Sequence, residues 1–588
     1  MSNAVRSNAL KAIISAKSGH VGIVLGAADV VTNIFANFLR RGTDRFVLSA
    51  GHGSALLYSV LKLSGYELPP LDSFRKLGGL PGHPEFGIPG VFATTGPLGQ
   101  GIGNAAGLAL AAKLQKTDGR VFCLCSDGDL MEGVAQEAIA FAGRYKLNNL
   151  VVVWDDNGIS IDGAAQTDID VPARMLAAGW RVISTDGHDF DEISRALNSA
   201  MRGKAPVFIQ AKTIIGRDSS AAGTSRAHGL GLDMAELERL AADSWSDNGM
   251  ALWADLAAEN IHATDALPAW SVPDLAGINM TWNTDTAIST RELSGLFLER
   301  LMSADPNLIV GSADLGGSTN VKTGAARDIV PDDFGGNYIN YGVREHAMGA
   351  VMNGMAAAGL RPVGATFLVF SDYLRPSIRL AALSGLPVIY VFTHDSIAVG
   401  EDGPTHQPIE QLPSLRLMPN LNVFRPCNGA EIAAAWTFAL SDTARPSCIV
   451  LSRQRVAQVL TPTGADLSRG AYVIAPAKGG RVRATLIATG AEVPLAVAVA
   501  EKLGGGVQVV SMPCVSQFRS QNDGFKKEIL RGYIVAIEAA ASASWFEFAD
   551  AVVGIDEYGA SGDGASVYAK YGFDADVIAR QIEENLKK

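Results

Sequence analysis

Asp127 and Asn157 have the residue types and the spacing of a metal site. Each follows a short, uncharged apolar run, residues 121–125 and residues 150–154, and such runs are typical of buried parallel strands. Open α/β sheets bind ligands beyond the carboxyl ends of their strands, so both side chains are predicted to face one crevice. A carboxylate, an amide oxygen and a nearby backbone carbonyl together suit Mg²⁺ or Ca²⁺.

Glycines near this pair favour a phosphate ligand. Gly128 would let the backbone approach a diphosphate closely. The glycine-rich residues 96–103 open a predicted helix, and the free N–H groups of a helix start attract anions. An Asp-Gly turn or an Asn-Gly turn alone is typical of an ordinary strand end. Together, at this spacing, the two motifs resemble the metal–diphosphate motif of thiamine diphosphate enzymes.

Length and composition limit the fold and the classes of function. At 588 residues the chain is too long for one core, and about 150 residues per domain predicts three or four domains. Hydrophobic residues at 48% and charged residues at 19% indicate a compact globular protein. A net charge of −11 without a basic cluster argues against binding to nucleic acid or to an anionic membrane.

The cysteines and the apolar runs predict a soluble, cytoplasmic protein. The five cysteines are odd in number, and several lie in strand-like runs, which favours buried thiols in a reducing compartment. Cys123 and Cys125 lack the spacing and the second ligand pair of a zinc site. No apolar run is expected to reach the roughly 18 residues of a membrane span.

Strand-like runs alternate with alanine-rich helical stretches, which predicts an α/β fold of three consecutive units with mainly parallel sheets. The first unit has predicted strands at residues 45–48, 121–125, 150–154 and 207–211, and helices at 101–114 and 132–145. The second has predicted strands at residues 308–311, 362–367, 387–393 and 447–451. The third has strands at residues 484–488 and 507–511 around a helix at 492–503. Residues 233–286 are predicted to be a linker with helical pieces.

Seven motifs over most of the chain resemble the transketolase family, in the family's order. They are Lys17-Ser18-Gly19-His20, Gly51-His52-Gly53-Ser54, Pro81-Gly82-His83-Pro84, Gly96-Pro97-Leu98-Gly99-Gln100-Gly101, Asp155-Asp156-Asn157-Gly158-Ile159-Ser160-Ile161-Asp162-Gly163, Gly342-Val343-Arg344-Glu345-His346 and Gly400-Glu401-Asp402-Gly403-Pro404-Thr405-His406-Gln407-Pro408. The resemblance implies a thiamine-diphosphate-binding fold plus a C-terminal domain. Residues 1–232 would bind diphosphate and metal, residues 287–465 the pyrimidine, and residues 466–588 would form the C-terminal α/β domain. It also implies a homodimer with active sites at the interface.

The same resemblance assigns residues to the cofactor and to catalysis. Asp127, Asn157 and the Ile159 carbonyl match the metal ligands. The matching cofactor-binding positions are His52, Gly96, Leu98, Asp127, Gly128, Glu132, Asn157, Asp314, Phe367, Phe370 and Tyr373. Glu345 matches the carboxyl that shares a proton with the pyrimidine ring and so promotes loss of the thiazolium proton. His20, His83, His228 and His406 match catalytic positions, where neutral imidazoles both donate and accept hydrogen bonds.

The substrate residues follow from the resemblance as well. Arg291, Ser318, His394 and Arg453 match positions that hold a substrate phosphate, and Asp402 matches one that reads a sugar hydroxyl. The planar fork of arginine suits phosphate, because it donates two parallel hydrogen bonds. The predicted reaction moves a two-carbon ketol unit from a phosphorylated ketose to an aldose phosphate, with thiamine diphosphate and Mg²⁺ as cofactors and Ca²⁺ as the alternative metal.

Three alternatives remain beside this prediction. The first is a related enzyme with another acceptor, such as formaldehyde in dihydroxyacetone synthase, and the second is a non-catalytic cofactor-binding protein. The third, a nicotinamide dehydrogenase, is disfavoured because residues 94–97, rather than a strand, precede Gly101-x-Gly103-x-x-Ala106. The chain is shorter than typical transketolases, and it departs from the family pattern near the substrate channel, which leaves the preferred sugars open. These departures are at Val21, Ala50, Ser126, Ser225 and Arg455.

Overall fold

The computed structural model describes residues 1–166, 169–259, 268–270, 272–273, 275, 278 and 282–587. They divide into two compact units. Unit 1 comprises Met1–Ala269, Val330–Gly335 and His346–Leu360, and unit 2 comprises Trp270–Ile329, Gly336–Glu345 and Arg361–Lys588.

A five-stranded parallel sheet forms the centre of unit 1, with strand order β1-β2-β3-β7-β6. Its strands are β1 (Arg45–Leu48), β2 (Val121–Ser126), β3 (Leu150–Asp156), β6 (Arg181–Asp186) and β7 (Val207–Lys212), and a hairpin of β4 (Ile159–Ser160) and β5 (Gly163–Ala164) follows β3. β2 pairs with β3 up to Ser126 opposite Asp155. Asp127 and Asn157 therefore lie just beyond the carboxyl ends of two adjacent parallel strands, as predicted.

The first segment of unit 1, Met1–Ala269, contains ten α-helices in its described residues. They are α1 (Ser2–Ala16), α2 (Val21–Asn33), α3 (Ser54–Leu63), α4 (Gln100–Leu114), α5 (Asp127–Met131), α6 (Gly133–Arg144), α7 (Val171–Ala177), α8 (Phe190–Ala200), α9 (Met234–Asp243) and α10 (Asp247–Glu259). α9 and α10 lie in the predicted linker, yet they pack on α1. The Ser7 hydroxyl donates to the Ala241 carbonyl at 2.7 Å, and Trp253 is fully buried.

The longest apolar helical segment corrects the expectation that no run reaches the length of a membrane span. α2 continues through the π-helical turn Ile34–Phe38, so Val21–Phe38 is an 18-residue helix with a mean hydropathy of 1.6. This window is 83% buried inside the fold. Its apolar residues form part of the core of unit 1, which explains why so long an apolar stretch occurs here.

Unit 2 contains two sheets. The first is parallel with order β12-β13-β11-β10-β8-β9, formed by β8 (Leu308–Ser312), β9 (Tyr338–Asn340), β10 (Arg361–Phe367), β11 (Ile389–Thr393), β12 (Asn422–Phe424) and β13 (Ser447–Leu451). The second has order β14-β16-β15-β17-β18, formed by β14 (Tyr472–Ala475), β15 (Ala484–Ala488), β16 (Val507–Ser511), β17 (Tyr533–Ile537) and β18 (Ala551–Val553). Only β14 is antiparallel within it. The prediction of three α/β units with mainly parallel sheets is confirmed.

The remaining helices complete the two units. They are α11 (Thr290–Ala304), α12 (Glu345–Ala357), α13 (Ser371–Ser384), α14 (Gln411–Arg416), α15 (Gly429–Ser441), α16 (Val493–Leu503), α17 (Val515–Arg519), α18 (Asp523–Ile529), α19 (Gly564–Lys570) and α20 (Ala575–Lys587). Glu345, the first residue of α12, belongs to unit 2, and the rest of α12 belongs to unit 1. Two 3₁₀ turns, Leu368–Phe370 and Ile397–Asp402, follow the carboxyl ends of β10 and β11.

Candidate active site

Asp127 has the environment of a metal ligand. It is 3% exposed at the start of α5, and its Oδ2 is buried without a hydrogen bond to any residue that the structure describes. Burial, with the nearby carboxylates of Asp155 and Asp156, raises its pKa to about 7. A buried carboxylate without a partner is costly, so a cation at Oδ2 would offset that cost.

Asn157 is oriented by a hydrogen-bonded neighbour. Its amide nitrogen donates to Asp155 at 3.0 Å, and the hydroxyl of Thr213 donates to the other oxygen of Asp155. The amide oxygen of Asn157 therefore faces away from Asp155, towards the backbone of Ile159, whose N–H donates to it at 3.0 Å. In the described part of the chain, no cluster of three or more His, Cys, Asp or Glu side chains has metal-binding geometry. The Asp127 carboxylate and the Asn157 amide offer oxygen atoms, the donors that hard divalent cations prefer.

A cavity of 380 Å³ gathers most of the sequence-predicted residues of unit 1. Its lining includes His20, His52, His83, Gly96, Leu98, Gly128, Asn157, Ile159 and His228. At Gly128 a Cβ atom would stand 3.0 Å from the Leu98 side chain, so a glycine keeps this part of the cradle open. Glu132 does not line the cavity. It is exposed at the N-cap of α6, beside Gly99.

Asp129 fixes the loop that precedes α4 to the end of β2. Its buried carboxylate accepts hydrogen bonds from the Ser49 hydroxyl at 2.6 Å and from the Gly99 backbone at 2.7 Å. It also accepts from the backbone and the hydroxyl of Ser126, both at 2.9 Å, as one half of a capping box. Gly99 has a left-handed backbone, φ 76°, which glycine adopts without strain. Asp129 thus holds the glycine-rich loop against the end of β2, next to Gly128.

Four of the residues that line this cavity are histidines whose imidazoles form a cluster. The ring of His20 lies 5.3 Å from His52, 6.2 Å from His83 and 5.5 Å from His228. Burial, followed by the charge of Arg75, lowers the pKa of His20 to about 4, and burial lowers that of His52 to about 3. The rings are therefore neutral at physiological pH, and each presents one donor and one acceptor nitrogen.

Arg75 determines how His20 can act. Its guanidinium lies 3.3 Å from Nδ1 of His20 and donates to the Ser18 hydroxyl at 2.7 Å. Because a guanidinium can only donate, Nδ1 of His20 is the acceptor and Nε2 carries the proton. His20 is thus fixed as a hydrogen-bond donor through Nε2.

Glu345, at the start of α12, is the predicted catalytic carboxyl group of unit 2. It is 8% exposed, and Oε1 accepts a hydrogen bond from the Thr366 hydroxyl at 3.0 Å. Burial raises its pKa, so the carboxyl keeps its proton at a higher pH than a free glutamate does. Thr366 lies near the carboxyl end of β10, immediately before Phe367. Glu345 therefore lies close to the predicted aromatic pocket.

Aromatic side chains and two histidines form one group after β10 and β11. The rings of Phe367 and Phe370 are stacked with centroids 6.0 Å apart, and Tyr373 lies 6.0 Å from Phe370. His394 stacks on Phe367 at 3.6 Å, and His406 meets Phe370 edge-on at 5.3 Å. Tyr373 is 64% exposed, unlike a core aromatic residue. This group offers flat apolar faces beside polar ring nitrogens, which suits a heteroaromatic ligand.

Two arginines give unit 2 a positive region next to His394. Burial, and after it the positive charges of Arg291 and Arg453, lower the pKa of His394 to about 3, so its imidazole is neutral. Arg291 donates to the Ser318 carbonyl at 2.6 Å, and Arg453 donates to the Val399 carbonyl at 3.1 Å. Ser318, Asp314 and Asp402 are exposed. Both guanidinium groups keep further N–H donors for an anion.

Comparison with known proteins decides the family. The model described as "Transketolase, thiamine diphosphate binding domain" matches residues 1–260, and "Transketolase, pyrimidine binding domain" matches residues 286–458. "Transketolase-like TK C-terminal domain" matches residues 470–574. The chain belongs to the transketolase family. As a transketolase it is a thiamine-diphosphate-dependent transferase that moves a two-carbon ketol unit, as predicted.

Individual transketolases match along the whole chain. That of Rhodobacter capsulatus is 41% identical over 658 aligned positions, covering 100% of this chain and 98% of its own. Because 658 positions exceed the 588 residues here, the relative has segments that this chain lacks. Transketolase from Leishmania mexicana superposes with a TM-score of 0.91 at 35% identity, covering 100% and 97% of the two chains. A transketolase from Pichia stipitis in complex with sedoheptulose-7-phosphate gives a TM-score of 0.90 at 34% identity, with the same coverage.

Several residues of this transketolase site did not emerge from the sequence. Asp129, Arg75 and Thr366 each act through a partner distant in sequence, Ser49, His20 and Glu345 respectively. No local pattern distinguishes Arg75 or Thr366 from surface residues. Asp129 alone had a signal, since Ser126 and Asp129 have the spacing of a capping box.

Proposed function

We propose that this transketolase binds Mg²⁺, with Ca²⁺ as a substitute, and exchanges a ketol unit between sugar phosphates. The observation that carries the metal is the buried Oδ2 of Asp127, which has no hydrogen-bond partner in the described part of the chain. Asn157 and the Ile159 carbonyl would complete the protein's share of an oxygen coordination shell, and diphosphate oxygens would supply more. Gly128, Leu98 and the loop fixed by Asp129 would hold the diphosphate.

The residues of the chain divide the proton transfers among them. When bound, thiamine diphosphate would supply a nucleophilic carbon to carry the two-carbon unit. Glu345 would hold a proton at the pyrimidine ring, a role that its raised pKa favours, because the carboxyl must carry a proton part of the time. His20, His83, His228 and His406 would exchange protons and hydrogen bonds with sugar hydroxyls. Burial lowers the pKa of His20, His83 and His228, so these three neutral rings can do so without a large change in charge.

The phosphate of the substrate would bind in unit 2. Arg291, Arg453, Ser318 and neutral His394 offer N–H and O–H donors, and a dianionic phosphate is held best by charged forks of this kind. Asp402 would accept a hydrogen bond from a hydroxyl of the sugar. The Pichia stipitis relative was solved with sedoheptulose-7-phosphate, which supports a sugar phosphate as the substrate class.

Replacing one phosphate-binding arginine tests the substrate class. Loss of a charge-assisted hydrogen bond costs about 1.5 to 3 kcal/mol, so Arg453→Ala is expected to raise KM for phosphorylated ketoses roughly 10- to 100-fold. KM for hydroxypyruvate, a donor without phosphate, should change little. Arg300→Ala is the matched control, because Arg300 is exposed on α11 and matches no predicted site position. Equal losses on both donors would assign Arg453 to the fold, and a preference for formaldehyde as acceptor would favour the dihydroxyacetone synthase alternative.

We also propose a cytoplasmic homodimer in which the diphosphate half of each site belongs to one subunit and the pyrimidine half to its partner. The exposed Tyr373 beside Phe370 supports this, because an aromatic pocket open to solvent is incomplete alone.

Mixing two inactive variants tests the shared site. In a heterodimer of Asp127→Ala and Glu345→Gln chains, one site would carry both substitutions and the other neither. Co-expression should therefore restore about a quarter of wild-type activity, since about half of the dimers are mixed and each has one intact site. Activity at the level of the separate variants would place both residues of a site in one subunit.

A further inference from the structure

The loop of residues 394–402, here called the substrate loop, carries His394 and Asp402 and has an unfavourable backbone. His394 has φ 60°, in the left-handed region that only a few per cent of residues other than glycine adopt. Ile397–Asp402 then forms a 3₁₀ turn interrupted at Gly400, which has φ 77° and ψ −107°. Such a backbone persists only where surrounding contacts hold it.

A chain of hydrogen bonds connects the substrate loop to the C-terminal domain. The backbone N–H of Ala398 donates to Ser396 Oγ at 3.3 Å, and Ser396 Oγ lies 3.0 Å from Tyr568 Oη on α19. Tyr568 donates its only hydroxyl proton to Glu492 at 2.7 Å. Since that proton is used, Ser396 must be the donor to Tyr568.

A buried arginine, Arg425, connects Glu492 back to the substrate loop. Arg425 is 0% exposed and pairs with Glu492, and its Nε and Nη2 donate to Asp395 Oδ2 at 3.0 and 2.8 Å. Asp395 directly follows His394. The network of Asp395, Ser396, Arg425, Glu492 and Tyr568, here called the clamp, therefore holds both residues that follow the left-handed position.

Close backbone packing adds to the clamp. The amide of Gln407 donates to the carbonyls of Gly400 at 3.0 Å and Ala560 at 2.9 Å, so it joins the loop to the segment before α19. A Cβ at Gly400 would lie 3.0 Å from the Gly562 carbonyl, and one at Gly564 would lie 2.9 Å from the Ala398 carbonyl. The two backbones thus touch without room for side chains.

A buried ionic network of this kind is an inefficient source of stability. Desolvation of its charges offsets most of the attraction between them, and an apolar core of similar volume is often as stable. Directional hydrogen bonds instead hold the surrounding backbone in one defined conformation. Here that backbone is the substrate loop.

We propose that the C-terminal domain positions the substrate loop, with Tyr568 as a positioning residue for sugar-phosphate binding. This inference rests on the proposed function, which assigns His394 to the phosphate and Asp402 to a sugar hydroxyl. Tyr568 touches neither substrate nor cofactor in this scheme. It acts by holding Ser396, and thereby the residues on either side.

Removal of one oxygen atom tests the inference in the full-length holoenzyme. Tyr568→Phe leaves the Ser396 hydroxyl without its acceptor and removes one hydrogen bond from Glu492, which stays paired with Arg425. A lost hydrogen bond of this kind corresponds to about a fivefold to tenfold change in an equilibrium constant. We expect KM for a phosphorylated ketose to rise by that factor, KM for hydroxypyruvate to change less than about twofold, and thiamine diphosphate affinity to stay the same. Tyr571→Phe is the matched control, because Tyr571 caps the same helix and its hydroxyl donates to the Tyr558 carbonyl at 2.8 Å.

Two further measurements separate positioning from a structural role. Ser396→Ala and Tyr568→Phe should not be additive, because both remove the same hydrogen bond. Hydrogen exchange of the backbone amides of residues 396–400 should speed up about tenfold in Tyr568→Phe and stay unchanged in Tyr571→Phe. Full additivity, or exchange equal to that of the control, would overturn the inference.

The comparison with His394→Ala shows which idea has failed. If His394→Ala selectively impairs sugar phosphates and Tyr568→Phe does not, the positioning inference is wrong and the proposed function stands. If neither variant discriminates between the two donors although exchange speeds up, the substrate role of His394 is wrong, and the inference falls with it.

Discussion

Asp127→Ala is expected to lower the affinity for thiamine diphosphate in the presence of Mg²⁺ by about 100-fold or more, because a metal ligand and its charge disappear together. The folded protein should tolerate the change well. Oδ2 is buried without a hydrogen-bond partner in the described residues, so its removal takes away a desolvated polar atom. Titration of cofactor at a range of Mg²⁺ concentrations, together with chemical denaturation of the cofactor-free protein, measures both effects.

A control substitution at another carboxylate distinguishes loss of a metal ligand from a general change in net charge. Asp332 is exposed and pairs with Lys146 at 2.7 Å, so Asp332→Ala changes the net charge equally but should leave cofactor affinity within about twofold. Thiamine diphosphate affinity that is unchanged in Asp127→Ala, or lowered equally in Asp332→Ala, would rule out Asp127 as the metal ligand.

Glu345→Gln is expected to bind the cofactor almost normally and to lose about 10²- to 10⁴-fold in kcat, the usual range for a general acid–base group. The amide oxygen of glutamine can still accept the hydrogen bond from Thr366, so the local structure should remain intact. An amide cannot share a proton with a ring nitrogen as a carboxyl can. NMR of the bound cofactor should therefore show slower exchange of the thiazolium proton.

Glu501→Gln is the control for this variant, since Glu501 is exposed on α16. It should exchange the thiazolium proton at the wild-type rate. Wild-type exchange in Glu345→Gln itself would contradict the assignment of Glu345, and weak cofactor binding would show that Glu345 serves the pocket rather than the proton.

The metal–diphosphate side could be foreseen from local sequence. β2 and β3 are apolar and uncharged because both faces of a parallel sheet are covered, and this pattern marks where each strand ends. Asp127 and Asn157 follow directly. β6 was missed because it is an edge strand with three polar residues in its second half, so it lacks the continuous apolar run of its neighbours.

Other parts of the site needed the resemblance or the structure. Phe367, Phe370 and Tyr373 alone resemble a core stripe, and only the exposure of Tyr373 distinguishes them. The contacts of Asp129 with Ser49, and of Arg425 with Asp395, join residues 80 and 30 positions apart. Such contacts depend on the tertiary arrangement of strands and helices, which local sequence propensity does not encode. The domain boundaries and the roles of the individual site residues remain predictions.

The central claim is that this chain transfers a two-carbon unit between sugar phosphates with thiamine diphosphate and a divalent metal. The most direct test incubates the purified protein with xylulose 5-phosphate and ribose 5-phosphate and follows the products by mass spectrometry. We expect a seven-carbon ketose phosphate and a three-carbon aldose phosphate in equal amounts, formed only when both thiamine diphosphate and Mg²⁺ are present. No transfer with both cofactors bound, or equal transfer without them, would contradict the account.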